Sequence, residues 1–391
     1  MTRLISRVAL VVLLMSGLAM AQEKPSDASA KAQGLIDKGI EFLKSKQQPD
    51  GGWQAGEQDP PAFTAIALMA IVQDEKYDAK TDFVAKGYQK LLSYQLQAGG
   101  IYKDGLANYN TAIAVASLSA AENPEFRPRI DAAVEYLKQL QWTGGTIGPK
   151  GEKVGDNPTW EGGWGYGRHG RPDMSNAQMA LEALHASGLK PEDPAFQSAL
   201  KFITRTQNLS ETNDQPWASN DGGFVYTPAR NGESFAGEYT APGPEGAEQR
   251  RLRSYGSMTY AGLKSMIYAG LMKDDPRVKG AWEWITKNWS LDENPGMRAG
   301  NPEQAQHGLY YYYMTLGRAL HAYDQPTFTD PAGSTHDWRV ELIDKLASLQ
   351  KEDGSWTGED RWMEGNPVLV TSYSILALQD ALADLKEHPE M

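Results

Sequence analysis

Apolar residues recur along the chain at steps of four and three, the period of a helix that buries one face. The first such segment sets Ile36, Ile40 and Leu43 on one side, ends on Gln47 and runs into Asp50-Gly51-Gly52-Trp53. The register then returns five times. Val84, Tyr88, Leu91 and Gln95 precede Gly99-Gly100-Ile101-Tyr102, and Ile130, Val134, Leu137 and Gln141 precede Gly144-Gly145. Phe196, Leu200, Ile203 and Gln207 form the fourth copy, with its turn displaced to Asp221-Gly222-Gly223-Phe224 by an insertion. The fifth keeps Val278, Trp282 and Ile285 but has Trp289 in the glutamine slot; the sixth has Arg339, Ile343, Leu346, Gln350 and Asp353-Gly354-Ser355-Trp356. These anchor positions are 48, 46, 66, 82 and 61 residues apart, so the added length falls in loops.

After each turn the pattern changes to a segment apolar on most of its circumference: 63–72, 111–121, 175–187, 257–271, 308–323 and 371–382. Such helices belong inside, whereas the glutamine-bearing ones carry Lys and Glu on one side and belong outside. The prediction is an all-α fold, an (α/α)6 toroid of six helical hairpins whose inner helices line a central cavity. An open solenoid is the alternative; closure is favoured because neither end has the polar face of a capping repeat.

Composition narrows the chemistry. With 40% hydrophobic residues among 391 the chain has material for a large core. Residues 1–21 carry Arg3 and Arg7, an apolar run from Val8 to Met20 and Ala19-Met20-Ala21, the layout of a signal peptide; the mature domain is then 22–391, exported to the periplasm or beyond. Loss of Arg3 and Arg7 leaves 36 basic against 50 acidic residues, a charge of −14, which disfavours nucleic acid as a partner. No later run is expected to span a bilayer. The chain has no cysteine, which excludes a disulfide framework, a thiolate nucleophile and a Cys-ligated metal; no cofactor or metal is expected.

Lys38-Gly39, Phe42-Leu43, Gln47, Gly51 and Trp53 keep the spacing of the QW repeat, so the chain resembles the squalene and oxidosqualene cyclases and the protein prenyltransferase β subunits. That resemblance implies a toroid in which the motif residues, here Gln47, Trp53, Gln95, Gln141, Gln207, Gln350 and Trp356, brace helix ends. It also implies a hydrophobic or isoprenoid-like ligand. The D-x-D-D acid motif of the class II cyclases does not occur, and zero cysteine excludes the prenyltransferase zinc set. Asp274-Asp275 precedes Pro276 and fits a helix cap.

The candidate site lies in segments leading into the inner helices, where free N–H groups favour polar ligand atoms. Gly163 to Asn176 places Arg168, His169, Arg171 and Asp173 just before one of them, with Asn176 in its first turn; the same residues also fit a surface loop with Asp173 or Ser175 as cap. Tyr255 and Tyr260 lead to Lys264, a cation inside an apolar helix, for which Glu182 is a partner across the ring, either in a site or as a structural ion pair. His307 is followed by Tyr310-Tyr311-Tyr312-Tyr313, some of which must face inward. The insertion 226–253 ends in Arg250, Arg251 and Arg253 and reads as a lid bringing arginines to the mouth, or as a solvated loop; a second insertion covers about 143–172. Arg361 to Asn366 adds Glu364 as a further carboxylate near the mouth.

If the chain is an enzyme of the cyclase kind, Asp173 and Glu182 are its expected acids. The ligand set is Arg168, His169, Arg171, Asn176, Tyr255, Tyr260, Lys264, His307, Tyr310 and Tyr311. The leading expectation is a toroid binding a hydrophobic small molecule. A polysaccharide lyase or hydrolase binding a glycan is second, and a scaffold with a filled centre is third.

Overall fold

Asp or Asn followed by Pro opens three of the α-helices, and each time the side chain accepts from the backbone two residues on: Asp193 from the Ala195 N–H, Asp275 from Arg277 and Asn366 from Val368. The computed structural model describes residues 25–54, 60–167, 170–243 and 246–389; the expected leader lies outside them. The glutamine-bearing segments are α1 (Pro25–Lys46), α3 (Asp82–Leu92), α5 (Arg127–Leu140), α7 (Pro194–Thr206), α9 (Pro276–Lys287) and α12 (Trp338–Leu349). Each buries one face; α7 hides Phe196, Ala199, Phe202 and Ile203 and leaves Gln197 and Lys201 exposed.

The intervening helices are α2 (Pro61–Val72), α4 (Ala107–Ala120), α6 (Met174–Ala186), α8 (Gly256–Tyr268), α11 (Leu309–Tyr323) and α13 (Pro367–Glu387), with a short α10 (Met297–Gly300) before α11. They are buried almost all round, as their composition requires. In succession α2 packs on α4, α4 on α6, α6 on α8, α8 on α11 and α11 on α13, and α13 returns to α2. The first helix packs on α13 and α12, joining the two ends of the chain.

The repeat residues show how neighbours are fastened. The amide of Gln47 donates to its own turn at the Gly51 carbonyl (2.9 Å) and to the Phe83 carbonyl in the first turn of α3 (2.8 Å). Gln95 does the same to Gly99 and Arg129, Gln141 to Gly162 and Ala195, and Gln207 to Gly222 and Arg277. Gln350 donates to Gly354 and to Leu35, so the bond that joins consecutive repeats also joins the last to the first. Trp289 replaces the amide with its indole N–H, which donates to the Glu341 carboxylate of α12 at 2.8 Å. Trp53 and Trp356 each donate to a carbonyl of their own outer helix, Leu43 and Leu346, at 2.8 Å. The turn glycines 51, 99, 162, 222 and 354 have φ from 83° to 96°, and a Cβ there would lie 2.0–2.5 Å from a carbonyl of the next outer helix.

Two expectations are corrected. The third turn is not Gly144-Gly145, where an added Cβ would meet nothing within 4 Å, but Gly162-Gly163-Trp164, where the Trp164 indole donates to Leu137; the insertion sits between Gln141 and its turn. The fold is mostly helical but not purely so. The insertion 226–253 carries an antiparallel pair, β1 (Glu238–Pro242) and β2 (Glu248–Leu252), and a second pair, β3 (Thr327–Thr329) and β4 (Thr335–Asp337), precedes α12. Its arginines fasten the insertion to protein carbonyls and to Glu238 instead of facing the mouth: Arg250 reaches Glu238, Asn231 and Gly232, Arg251 reaches Pro216 and Ala218, and Arg253 covers the Tyr239 ring.

Candidate functional site

The first turns of the inner helices surround a cavity of about 380 Å³, within the roughly 300–1,000 Å³ of small-molecule sites. The third residue of five inner helices faces it: Phe63, Tyr109, Met258, Tyr311 and Leu369; in α6 the second residue, Ser175, does so. Tyr166, Tyr226, Tyr255 and Tyr373 complete six tyrosines, with Phe235 from the insertion and Trp362 beside them. The Phe235 ring lies 4.4 Å from Tyr226 and 5.3 Å from Trp362, so the insertion contributes an aromatic wall. The rim is apolar and partly strained. Leu106, Trp362 and Met363 are exposed large side chains with φ of 49°, 55° and 67°, a region that non-glycine residues seldom occupy.

Polar groups on the wall are mostly paired. The hydroxyls of Tyr109 and Ser175 are 2.6 Å apart, those of Tyr166 and Tyr226 are 3.1 Å apart, and Tyr311 accepts from the Gln178 amide at 2.9 Å. Glu364 is buried; its Oε1 accepts from the Tyr311 N–H at 2.7 Å, capping α11, and its Oε2 has no hydrogen-bond partner among the described residues. Burial pushes its pKa up to about 7 against the opposing pull of the α11 amides. Among the described residues no lysine, arginine or histidine lines the cavity.

Beneath the cavity the ring is filled. Met69, Met179 and Met314 with Ile66 leave a void of only about 10 Å³. Seven residues, or two helical turns, beyond cavity residues Ser175, Ser257, Tyr311 and Tyr373 stand Glu182, Lys264, Arg318 and Asp380. Lys264 donates to Glu182 and, at 2.6 Å, to Gln178; Arg318 donates to Glu182 and to Asp380, both at 2.9 Å. Burial raises the Glu182 carboxyl, but Lys264 and Arg318 outweigh it and hold the group below its ordinary value. Burial lowers Lys264 and raises Asp380.

No family model matches the chain. A probable squalene–hopene cyclase of Sinorhizobium fredii (strain NBRC 101917 / NGR234) is 24% identical over 224 residues, which are 49% of this chain and 32% of that protein. The match thus spans about a third of the cyclase's length. Type II terpene cyclase MstE from Scytonema, solved with geranylgeranyl dihydroxybenzoate, superposes with a TM-score of 0.53 over 92% of this chain and 99% of its own, at 13% identity. The chain has the terpenoid-cyclase-like toroid fold. That fold is chemically broad, since D-mannose isomerase (TM-score 0.58, 11% identity, 93% and 100% of the chains) superposes equally. So does an α-1,6-mannanase of Salegentibacter sp. HEL1_6 in complex with α-1,6-mannotriose (0.54, 11%, 91% and 99%).

Within this toroid the expected site residues divide. Tyr255 and Tyr311 line the cavity. Asp173 lies just behind its wall and caps α6, accepting from the Asn176 N–H at 2.9 Å and from its side-chain amide, and burial pushes its pKa up to about 7. Asn176 is used by Asp173 and Asn108. Arg171 pairs with Glu233 beside the Tyr226 ring. His307 stays at the rim, 6.0 Å from the Trp362 ring and 3.4 Å from Glu359. Tyr260 packs on Tyr312 and Tyr310 on Tyr313, outside the cavity lining. Lys264 and Glu182 meet each other in the base, where Arg318 also pairs with Glu182, away from the cavity lining. Arg168 and His169 lie outside the described residues. Sequence reasoning missed Phe63, Tyr109, Tyr373 and Phe235; the recurring third position of the inner helices was the signal for the first two.

Proposed function

We propose that the protein is an exported (α/α)6 toroid, six hairpins in one domain over 22–391, that takes up a small and mainly apolar molecule at the end where its inner helices begin. Export rests on the leader of residues 1–21, and the six-hairpin reading on the glutamine bonds that repeat around the ring. The observation that carries the ligand class is the cavity itself, walled by six tyrosines, Phe63, Phe235 and Trp362. Asp173 and Glu364, both pushed up to about 7, are weak acids, poorly suited to protonating a hydrocarbon. Uptake is therefore favoured over terpenoid cyclisation. A glycan would find aromatic faces here, but the described wall offers one carboxylate where glycoside hydrolysis uses two.

Ala62, at the cavity wall, supplies the test. Nile red, a neutral apolar dye, is expected to bind the wild-type chain at one saturable site. Ala62→Trp is expected to weaken it by about tenfold or more at an unchanged unfolding midpoint. Equal binding by the two proteins would reject the cavity as the site.

A further inference from the structure

Two cavity hydroxyls have no partner among the described residues. Tyr255, the residue preceding α8, and Tyr373, in the second turn of α13, are 2% and 7% exposed and line the cavity from different helices, yet neither hydroxyl makes a hydrogen bond among the described residues. The neighbouring hydroxyls of Tyr109, Tyr166 and Tyr311 are all engaged. The Tyr373 ring lies 6.2 Å from that of Tyr311, and Tyr255 lines the same cavity of about 380 Å³. A hydroxyl that opens onto the cavity without a protein partner is a donor that a ligand acceptor can engage in place of water.

The character of that acceptor follows from the charges nearby. Burial keeps both phenols neutral, hence donors. No cation among the described lining residues offsets an anionic head, and Glu364 and Asp173 lie close by. A cationic head finds no ready carboxylate either. Glu364 gives one oxygen to the α11 backbone, and its other abuts Gly358, a Cβ on which would sit 3.0 Å away.

We propose that the molecule held in this cavity is apolar but for one uncharged oxygen acceptor, a carbonyl or ether, which receives hydrogen bonds from the Tyr255 and Tyr373 hydroxyls; this rests on the reading of the cavity as an apolar-ligand site. The test displaces Nile red from the full chain with decane, methyl decanoate, decanoate and decylammonium, using wild type, Tyr255→Phe, Tyr373→Phe and the double variant. Methyl decanoate is expected to bind about tenfold tighter than decane to wild type and to lose about threefold to tenfold with each phenylalanine, while decane is unaffected. The phenylalanine variants keep ring shape, and matching unfolding midpoints establish that they fold. Equal binding of ester and decane, equal losses for both, or tightest binding of decanoate or decylammonium overturns the proposal. If no probe displaces the dye from wild type, the apolar-ligand reading falls and takes this one with it.

Discussion

Along α11, Tyr311 faces an open cavity while Arg318, two turns on, is locked between Glu182 and Asp380. The same step separates Ser175 from Glu182, Ser257 from Lys264 and Tyr373 from Asp380, so four inner helices each contribute one residue to the mouth and one to the base on a shared face. At the base four charges and three methionines close the ring. At the mouth aromatic side chains hold it open, the Tyr255 and Tyr373 hydroxyls face the cavity with no protein partner among the described residues, and one Glu364 oxygen is buried without one. The same helices thus spend their polar groups on cohesion at one end and withhold them at the other, the division expected when stability and binding compete for one scaffold.

Breaking the base is expected to cost most. Lys264→Met strips Glu182 of one of its two cations and should lower unfolding free energy by about 3–5 kcal/mol in denaturant titration. Adding Glu182→Leu, which removes the stranded charge, should recover most of it. A double variant no more stable than the single would show that the base is not held by this pairing.

The ends should also separate by pH. Asp173 and Glu364 hold their protons more tightly folded (about 7) than at their ordinary 3.8 and 4.5, so between those values the native state binds protons that the unfolded chain has lost. Stability should then fall as pH rises from about 4 to 7, by at most about 1.4 kcal/mol per unit for each carboxyl, and level off above. Asp173→Asn with Glu364→Gln should shallow that slope, Asp380 retaining part of it. Glu182 runs the opposite way: its depressed pKa gives stability that is present above 4.5 and lost on acidification, a limb that Glu182→Gln should weaken. Melting curves across pH read both limbs.

Smaller effects sharpen the contrast at the mouth. Tyr166→Ala removes the 5.7 Å stack on Tyr109 and the hydroxyl contact with Tyr226, and should cost about 1–2 kcal/mol by denaturant titration while weakening Nile red. Leu106→Gly relieves a left-handed residue that is half exposed, and should stabilise by about 0.5–1 kcal/mol. A loss there would mean that its apolar contacts outweigh the strain.

The repeat was legible because each copy pays its polar obligations locally: Gln47, its turn and the next helix lie in a fixed register, which any single sequence displays. The third turn was misplaced because Gly144-Gly145 stood nearer to Gln141 than the true pair, and only an aromatic residue after Gly163 distinguishes them. The Lys264–Glu182 pair was legible since charges on apolar helices must find each other. Which of four consecutive tyrosines points inward was not, because helical phase is set by packing against α8 and α13. Phe235 enters the wall only through the fold of its insertion, which leaves no periodic trace.

The bond from Gln350 to Leu35 is the same bond that Gln47 makes to Phe83. The closing joint is therefore built like the other glutamine joints of the ring, and a circularly permuted chain, its old ends bridged and new ones opened within residues 143–161, would keep every one of these fastenings and could serve as an insertion scaffold whose pocket is assembled regardless of where translation starts.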